Sequence, residues 1–469
     1  VARVLLVMPK LPEPLGAPYL GQLYLAAALL RAGHEVRALD LAARAAPSED
    51  DALREAARWG PDVVGVTLFT LNAARGYALA ARLGAALPGA LLVAGGPHVT
   101  ACPDEPLAHG FHATVAGEGE EPVVVLAARA GRALGASAGG GARLEVLDAV
   151  PGLRRRGGAG PANPARASLD GMAPPHEGYG AFQATWYGLP VGAPLAPGGV
   201  MTSRGCPARC TFCANHVTGR VFRWRSAADV VGELLALEAR FGLRHFAFWD
   251  DAFTASRPRL EALCDALSAE PALDGVTWSC ITPGIMVKPR DLARMRRAGC
   301  VAVNFGIESG DPSVLKAIGK GQRPRHVRAA VRAAKAEGMA VVVNFMFGFP
   351  GEGVEELGRT RVLMEELAPD VDAFNTRGVV IPMPGTPLYE RYADAFGFRG
   401  WWLQLGDALD APHHASARDA MAWEARDPAL EMDFFQYRED VRRAIEAAVR
   451  FKAEHNLRRL RGSGLEGEV

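Results

Sequence analysis

Met201-Thr202-Ser203-Arg204-Gly205-Cys206-Pro207-Ala208-Arg209-Cys210-Thr211-Phe212-Cys213 gathers three of the chain's seven cysteines, spaced Cys-x3-Cys-x2-Cys. The run follows an apolar, strand-like stretch and contains Gly205 and Pro207, so it reads as a loop at a strand end. Iron–sulfur clusters are held by cysteine thiolates, and three thiolates on one loop can hold three irons of a cubane. No fourth cysteine is adjacent, so one iron stays open to a ligand that is not protein. Zinc is the competing reading, because His216 with Cys206, Cys210 and Cys213 makes four ligands and zinc favours closed four-ligand sites. A zinc knuckle usually splits its ligands into two pairs on separate turns, and this loop does not.

At 469 residues the chain is longer than one core ordinarily fills, so its length predicts several domains. Hydrophobic residues at 49% and charged residues at 22% are those of a globular protein. Lys plus Arg equals Asp plus Glu at 52 each, so no global charge argues for nucleic acid. The local runs Arg154-Arg155-Arg156 and Arg458-Arg459-Leu460-Arg461 read as solvated charges. No apolar run reaches the roughly eighteen residues of a membrane span. The opening Val-Ala-Arg-Val-Leu-Leu-Val-Met-Pro reads as a strand, not as a signal peptide. An odd number of cysteines argues against a secreted disulfide framework and for a reducing cytoplasm.

Working outward toward the N-terminus, residues 1–148 alternate strand and helix. Val4–Met8 is a continuous apolar run, as a strand covered on both faces should be. Strands follow at Glu35–Asp40, Asp62–Thr67, Ala90–Gly96 and His112–Ala116, with helices at Tyr19–Ala32 and Glu49–Trp59. The pattern predicts a doubly wound (Rossmann-like) α/β sheet, which binds ligands outside the carboxyl ends of its strands. Those ends carry Thr67–Asn72, Gly95-Gly96-Pro97-His98 and Gly117-Glu118-Gly119-Glu120. Residues 149–197, rich in Gly, Ala, Pro and Arg, read as a linker, and its Pro151–Gly158 stretch resembles a hairpin that links two domains in known proteins, which implies a short hairpin there.

Beyond the cysteine loop, βα units recur from 198 to 395. Strands are expected at Gly199–Ser203, His245–Asp250, Val276–Cys280, Val301–Gly306, Val341–Phe347 and Ala373–Ile381, with helices at about 227–241, 257–269, 289–298, 323–337 and 353–367. Six units are too few for a closed eightfold barrel, which predicts a partial (β/α)6 barrel with its working residues at the carboxyl ends. Asp250-Asp251 there reads either as a ligand-holding pair or as a helix N-cap. Residues 396–469 read as a mostly helical region, with Phe434, Tyr437, Val441, Ile445 and Val449 on one stripe. Its His413-His414 pair lacks a third ligand at helical spacing.

With aromatic Phe212 before its last cysteine, the 201–213 loop resembles that of the radical S-adenosylmethionine (SAM) enzymes. Gly306-Ile307-Glu308-Ser309-Gly310, the turn Gly348-Phe349-Pro350-Gly351-Glu352 and Pro382–Tyr389 resemble later segments of the same family. The resemblance implies a 4Fe–4S cluster on Cys206, Cys210 and Cys213, whose open iron chelates SAM for reductive cleavage to a 5′-deoxyadenosyl radical. Phe212, Asp250, Glu308, Ser309, Asn344 and Arg377 are the SAM contacts expected with it. Gly-Gly-Pro-His after one strand and Gly-Glu-Gly-Glu after the next resemble the cobalamin-binding domain found ahead of many radical SAM domains. Thr67, Leu68, Phe69, Gly95, Gly96, Pro97, His98, Glu118 and Gly119 are the cobalamin contacts this implies. The Asp-x-His-x-x-Gly motif of some cobalamin proteins is absent, as is common in the cobalamin-dependent radical SAM subfamily.

Together these readings predict a cytoplasmic, cobalamin-dependent radical SAM enzyme. It is expected to methylate an unactivated carbon of a small-molecule or peptide natural product through methylcobalamin. A flavodoxin- or ferredoxin-like partner would reduce its cluster, and neither nucleic acid nor a membrane span is involved. A non-methylating cyclisation or rearrangement with the same cofactors is the second reading, and a zinc-stabilised binding module the third.

Overall fold

The computed structural model describes residues 1–135, 146–190, 199–215, 217–375, 377–410 and 425–463. His216, His413, His414, Trp423 and the Ser137–Gly141 run lie outside the described residues. The chain divides into two compact units. The first is Val1–Gly199 with Ala214–Gly219 and Gly400–Asp410, and the second is Val200–Cys213 with Arg220–Arg399 and Ala411–Val469.

The first unit is built on a seven-stranded sheet in the order β2-β1-β3-β4-β5-β6-β7. Its strands are β1 (Arg3–Met8), β2 (Glu35–Asp40), β3 (Val63–Thr67), β4 (Leu91–Gly95), β5 (Ala113–Val115), β6 (Leu153–Arg155) and β7 (Gly158–Ala159). The first five are parallel. Val4 to Met8 are all buried, and each such aliphatic side chain contributes about 1.5–3 kcal/mol. Strand β1 pairs with β2 on one side and β3 on the other, so the strand order reverses there. The hairpin expected near 151–158 exists as β6 and β7, and it joins the sheet by pairing antiparallel with β5.

The second unit carries a parallel five-stranded sheet, β10 (His245–Phe248), β11 (Thr277–Pro283), β12 (Cys300–Glu308), β13 (Ala340–Phe345) and β14 (Ala373–Phe374). Helix Ala227–Phe241 leads into β10, and helices Arg257–Ala269, Pro289–Arg297, Pro324–Ala336 and Val354–Leu367 lie between successive strands, all within a residue or so of the expected limits. Alternate residues such as Phe246, Phe248, Trp278, Cys280, Val303, Phe305, Val341 and Val343 are buried, while their neighbours on the other face are half-exposed. Period-two burial of this kind marks a sheet with one packed and one open face.

Two expected strands are shorter than predicted, for reasons of side-chain chemistry. The amide of Asn375 takes over the ladder beside Phe345, accepting from its N–H at 2.8 Å and donating to its carbonyl at 3.1 Å. The expected strand 373–381 therefore stops at Phe374 and resumes only as a single Phe347–Val379 bridge. Over 199–203, the N–H groups of Thr202 and Ser203 donate to Asp250 rather than to a strand. What remains is the Val200–Phe248 bridge and a short antiparallel pair, β8 (Ser203–Arg204) with β9 (Arg223–Trp224).

Candidate active site

The cysteine loop is held at both ends and in the middle. At its start, Asp250 accepts from the N–H groups of Thr202 and Ser203 at 2.7 and 3.1 Å, and Asp251 from Gly205 N–H at 2.9 Å. In the middle, Thr211 N–H donates to Ile318 O at 2.8 Å. Toward the end, Leu388 N–H donates to Thr211 O at 2.9 Å. Gly319, at φ +68, lies so close that a Cβ there would stand 2.7 Å from Arg209 O, a contact that only glycine permits. Cys210 is buried, Cys206 half-buried and Cys213 exposed.

Charge is concentrated around the thiols. Burial pushes the Cys210 thiol up to about 11, with Lys320 opposing and the neighbouring cysteines and Glu308 reinforcing the rise. Lys320 and Glu308 form a buried ion pair. Burial alone would lower the Lys320 ammonium, but Glu308 and the two nearest thiols outweigh it and raise its pKa. Glu308 ends β12 with φ +68, the left-handed region that non-glycine residues seldom adopt. Gln322 donates to Gly306 O and Ile307 O at 3.2 and 2.7 Å, fixing the strand just before this turn. A three-thiol loop with a buried cation beside it fits an anionic cluster holding a ligand on its open iron.

Of the expected SAM contacts, Glu308 and Phe212 stand at this loop, the Phe212 ring centroid lying 5.5 Å from that of Phe349. The structure gives Asp250 and Ser309 other work. Asp250 is buried and accepts from Thr202, Ser203 and Arg259, so it anchors the loop. Ser309 is buried against Thr360 at 3.0 Å and accepts from Asp311 N–H at 3.0 Å. Asn344 faces the open side of the sheet opposite Gly306. Arg377 follows the interrupted strand, where its carbonyl accepts from the buried Lys452 at 3.1 Å while Asp427 accepts from Gly378 and Val379 N–H at 2.7 and 2.8 Å.

Sequence reasoning assigned no role to Lys320, although the Gly319-Lys320-Gly321 bracket was its signal. Both of those glycines are at positive φ, turning the lysine back toward Glu308.

In the first unit, the expected cobalamin residues gather at the carboxyl ends of β3, β4 and β5. Gly96, at φ +103, is packed so closely that a Cβ would stand 2.8 Å from Leu68 O. Phe69, Gly95, Gly96, Pro97 and Gly119 are half-exposed, whereas Thr67, Leu68, His98 and Glu118 are buried. Thr67 accepts from the buried Gln22 at 3.2 Å. Leu68 uses both backbone groups on Gly95 O and His98 N–H. Glu118 accepts from Arg166 N–H at 3.1 Å. His98 is turned fully inward, where Nδ1 meets Thr70 Oγ1 at 3.2 Å and Nε2 meets Tyr77 OH at 3.1 Å and Glu105 at 3.2 Å. Its side chain therefore holds this loop in place. A half-exposed rim of glycine, proline and backbone fits a broad, flat cofactor approached closely by the main chain.

A cysteine loop with one open position at the carboxyl end of a partial barrel, preceded in sequence by a doubly wound sheet, defines a class of radical SAM enzymes. The family model for the radical SAM superfamily matches residues 200–364, and that for the B12 binding domain matches residues 16–127. An uncharacterized methyltransferase of Pyrococcus horikoshii is 30% identical over 408 residues, 83% of each chain. Cytidylyl-2-hydroxyethylphosphonate methyltransferase of Streptomyces wedmorensis is 28% identical over 76% of this chain and 74% of its own. The fold is also that of the radical SAM methyltransferase TsrM from Kitasatospora setae, solved with cobalamin and a 4Fe–4S cluster bound. That match has a TM-score of 0.66 at 22% identity over 84% of this chain and 78% of TsrM. The chain belongs to the cobalamin-dependent radical SAM methyltransferase family. No helix among the described residues is long and apolar enough to cross a membrane.

Proposed function

We propose that this enzyme methylates an unactivated carbon of a small-molecule or peptide substrate, working in the cytoplasm with a flavodoxin- or ferredoxin-like reductant. The observation that carries the reading is the clamped Cys206–Cys213 loop beside the buried Lys320–Glu308 pair. Cys206, Cys210 and Cys213 would hold the cluster. Lys320 would pair with the SAM carboxylate and Glu308 with its amine or ribose, each ion meeting the opposite charge that its burial requires. Phe212 and Phe349 would flank the bound SAM, Asn344 and Arg377 would face it from the strands, and Asp250 and Ser309 would position the loop and the β12 turn. The glycine rim of Gly95, Gly96 and Gly119, with Phe69 and Pro97, would seat cobalamin through backbone contact. When bound, the cluster supplies the electron that cleaves SAM, and cobalamin supplies a carrier for the methyl group.

The test is anaerobic reconstitution of the full chain with iron, sulfide, cobalamin, SAM and a reductant. Formation of 5′-deoxyadenosine together with a product heavier by one methyl group supports the reading. 5′-Deoxyadenosine with a product lacking that gain supports the cyclisation or rearrangement reading. Colourless protein with one zinc per chain and no SAM cleavage overturns both.

A further inference from the structure

The turn that leaves the Gly95–Gly96 rim gathers three metal-ligating side chains on its inner side. His98 and Cys102 stand four residues apart across the short helix Pro97–Ala101, so they share one face of it. Cys102 N–H closes that helix on His98 O at 2.8 Å, and Glu105 N–H turns back onto Cys102 O at 3.3 Å. One ligand atom from each of His98, Cys102 and Glu105 lies within 4.8 Å of the other two. His98 Nε2 and Glu105 Oε1 are already 3.2 Å apart. Zinc bonds of about 2.0–2.3 Å at tetrahedral angles set ligands about 3.3–3.6 Å apart, so only the thiol has to close, by about 1 Å.

Three features fit this group to a cation. His98 is fully buried, and Thr70 Oγ1 meets its Nδ1 at 3.2 Å, which orients the ring with Nε2 toward Glu105, as the outer partner of a metal-bound histidine does. Tyr77, Trp402 and His98 all meet Glu105 at Oε1, at 2.7, 2.8 and 3.2 Å, whereas Oε2 makes no hydrogen bond among the described residues. The Tyr77 hydroxyl, 3.1 Å from His98 Nε2 and 2.7 Å from Glu105 Oε1, stands where a fourth ligand would. Around them the walls are aromatic, with Tyr77 stacked on His109 at 4.1 Å and Trp402 edge-on to His98 at 5.3 Å. A hydrogen-bonded knot of histidine, tyrosine and glutamate needs no thiol. A divalent cation does, because one thiolate and one carboxylate cancel its charge before it meets the rings.

We propose that His98, Cys102 and Glu105 bind a structural zinc ion, with the Tyr77 hydroxyl, or a water in its place, as the fourth ligand. Zinc accepts nitrogen, sulfur and oxygen donors together and brings no redox chemistry of its own. The ion would clip the turn below the Gly95–Gly96 rim to the helix Ala73–Ala86, which carries Tyr77. All of its ligands belong to the first unit, and none is a cysteine of the 206–213 loop.

The test uses the full chain reconstituted with its cluster, so that Cys206, Cys210 and Cys213 are occupied. Zinc chloride is added in excess, and loose metal is removed by gel filtration with a weak chelator. The wild type should retain about one zinc per chain, and X-ray absorption at the zinc edge should show one sulfur at about 2.3 Å among nitrogen and oxygen ligands. Cys102→Ala should weaken zinc binding about 10- to 100-fold or more with iron content unchanged. The Cys206→Ala, Cys210→Ala, Cys213→Ala triple variant should keep the same single zinc with the same single sulfur, so this site is read apart from the radical SAM chemistry. A wild type that retains no zinc, zinc bound with no sulfur or with more than one, or retention that Cys102→Ala leaves unchanged overturns the inference.

Discussion

At the carboxyl ends of β3 to β5 the polar side chains turn into the protein: His98 meets Thr70, Tyr77 and Glu105, Thr67 meets Gln22, and Glu118 meets Arg166. At the ends of β12 and β13 the reverse holds, with Glu308 and Lys320 paired beside the thiols and the side chains of Asn304 and Asn344 making no hydrogen bond among the described residues. Both regions are strand ends of parallel sheets, where ligands of α/β proteins gather. One presents main chain and the other presents side chains. The difference suits the cofactors proposed for each, since a broad cofactor is seated by shape and a charged, reacting one by placed ions and amides.

The contrast predicts where substitution does damage. The largest effect belongs to the thiols. Cys210→Ala should leave the protein unable to keep its iron and lower 5′-deoxyadenosine release by about a thousandfold or more, read from iron content and product. Lys320→Met comes next, raising the KM for SAM by roughly 10- to 100-fold with iron content unchanged. A KM that stays put would break the side-chain half of the comparison. In the other region, Gly96→Val should displace Leu68 and cost about 1–3 kcal/mol, with loss of cobalamin absorbance after gel filtration. His98→Leu should destabilise the fold by about 1–3 kcal/mol by stripping partners from Tyr77, Thr70 and Glu105. Cobalamin affinity of that folded variant should change less than about threefold, and a large change would show a side chain acting where only backbone is assigned.

The smallest effect is a pH dependence at the Gly348 turn. Glu352 is buried, accepts from Gly348 and Phe349 N–H at 2.7 and 3.2 Å, and is pushed up by burial from 4.5 to about 8. The folded state then holds a proton that the unfolded chain releases near its ordinary carboxyl value. The associated stability is full below that value and is lost as the pH climbs toward about 8, at no more than about 1.4 kcal/mol per unit. Chemical denaturation of wild type and Glu352→Gln between these limits checks the sign, because the glutamine variant should show the flatter profile.

Much of this was legible because it is local. Apolar runs with glycine or proline at their ends set the helices 227–241 and 257–269 to the residue, and Cys-x3-Cys-x2-Cys named its own chemistry. What the sequence hid is set by partners far along the chain. That Tyr77 and Glu105 surround His98, and that Thr202, Ser203 and Arg259 take the oxygens of Asp250, is nowhere written in the local sequence. The last barrel strand breaks because Asn375 bonds Phe345 across 30 residues and Lys452 reaches the Arg377 carbonyl across 75. Hydrophobic periodicity carries no record of such pairings.

The backbone of Glu308 has a consequence for how this enzyme can vary. Glycine or asparagine would sit at φ +68 with less strain than glutamate, relief worth about 1 kcal/mol or more. Glutamate alone cannot be replaced at that gain, because Lys320 would be left buried and unpaired; selection for folding should therefore remove the two together, while selection for turnover should keep both. A library randomised at positions 308 and 320, sorted once for stability and once for SAM cleavage, should yield two different consensus pairs from the same fold.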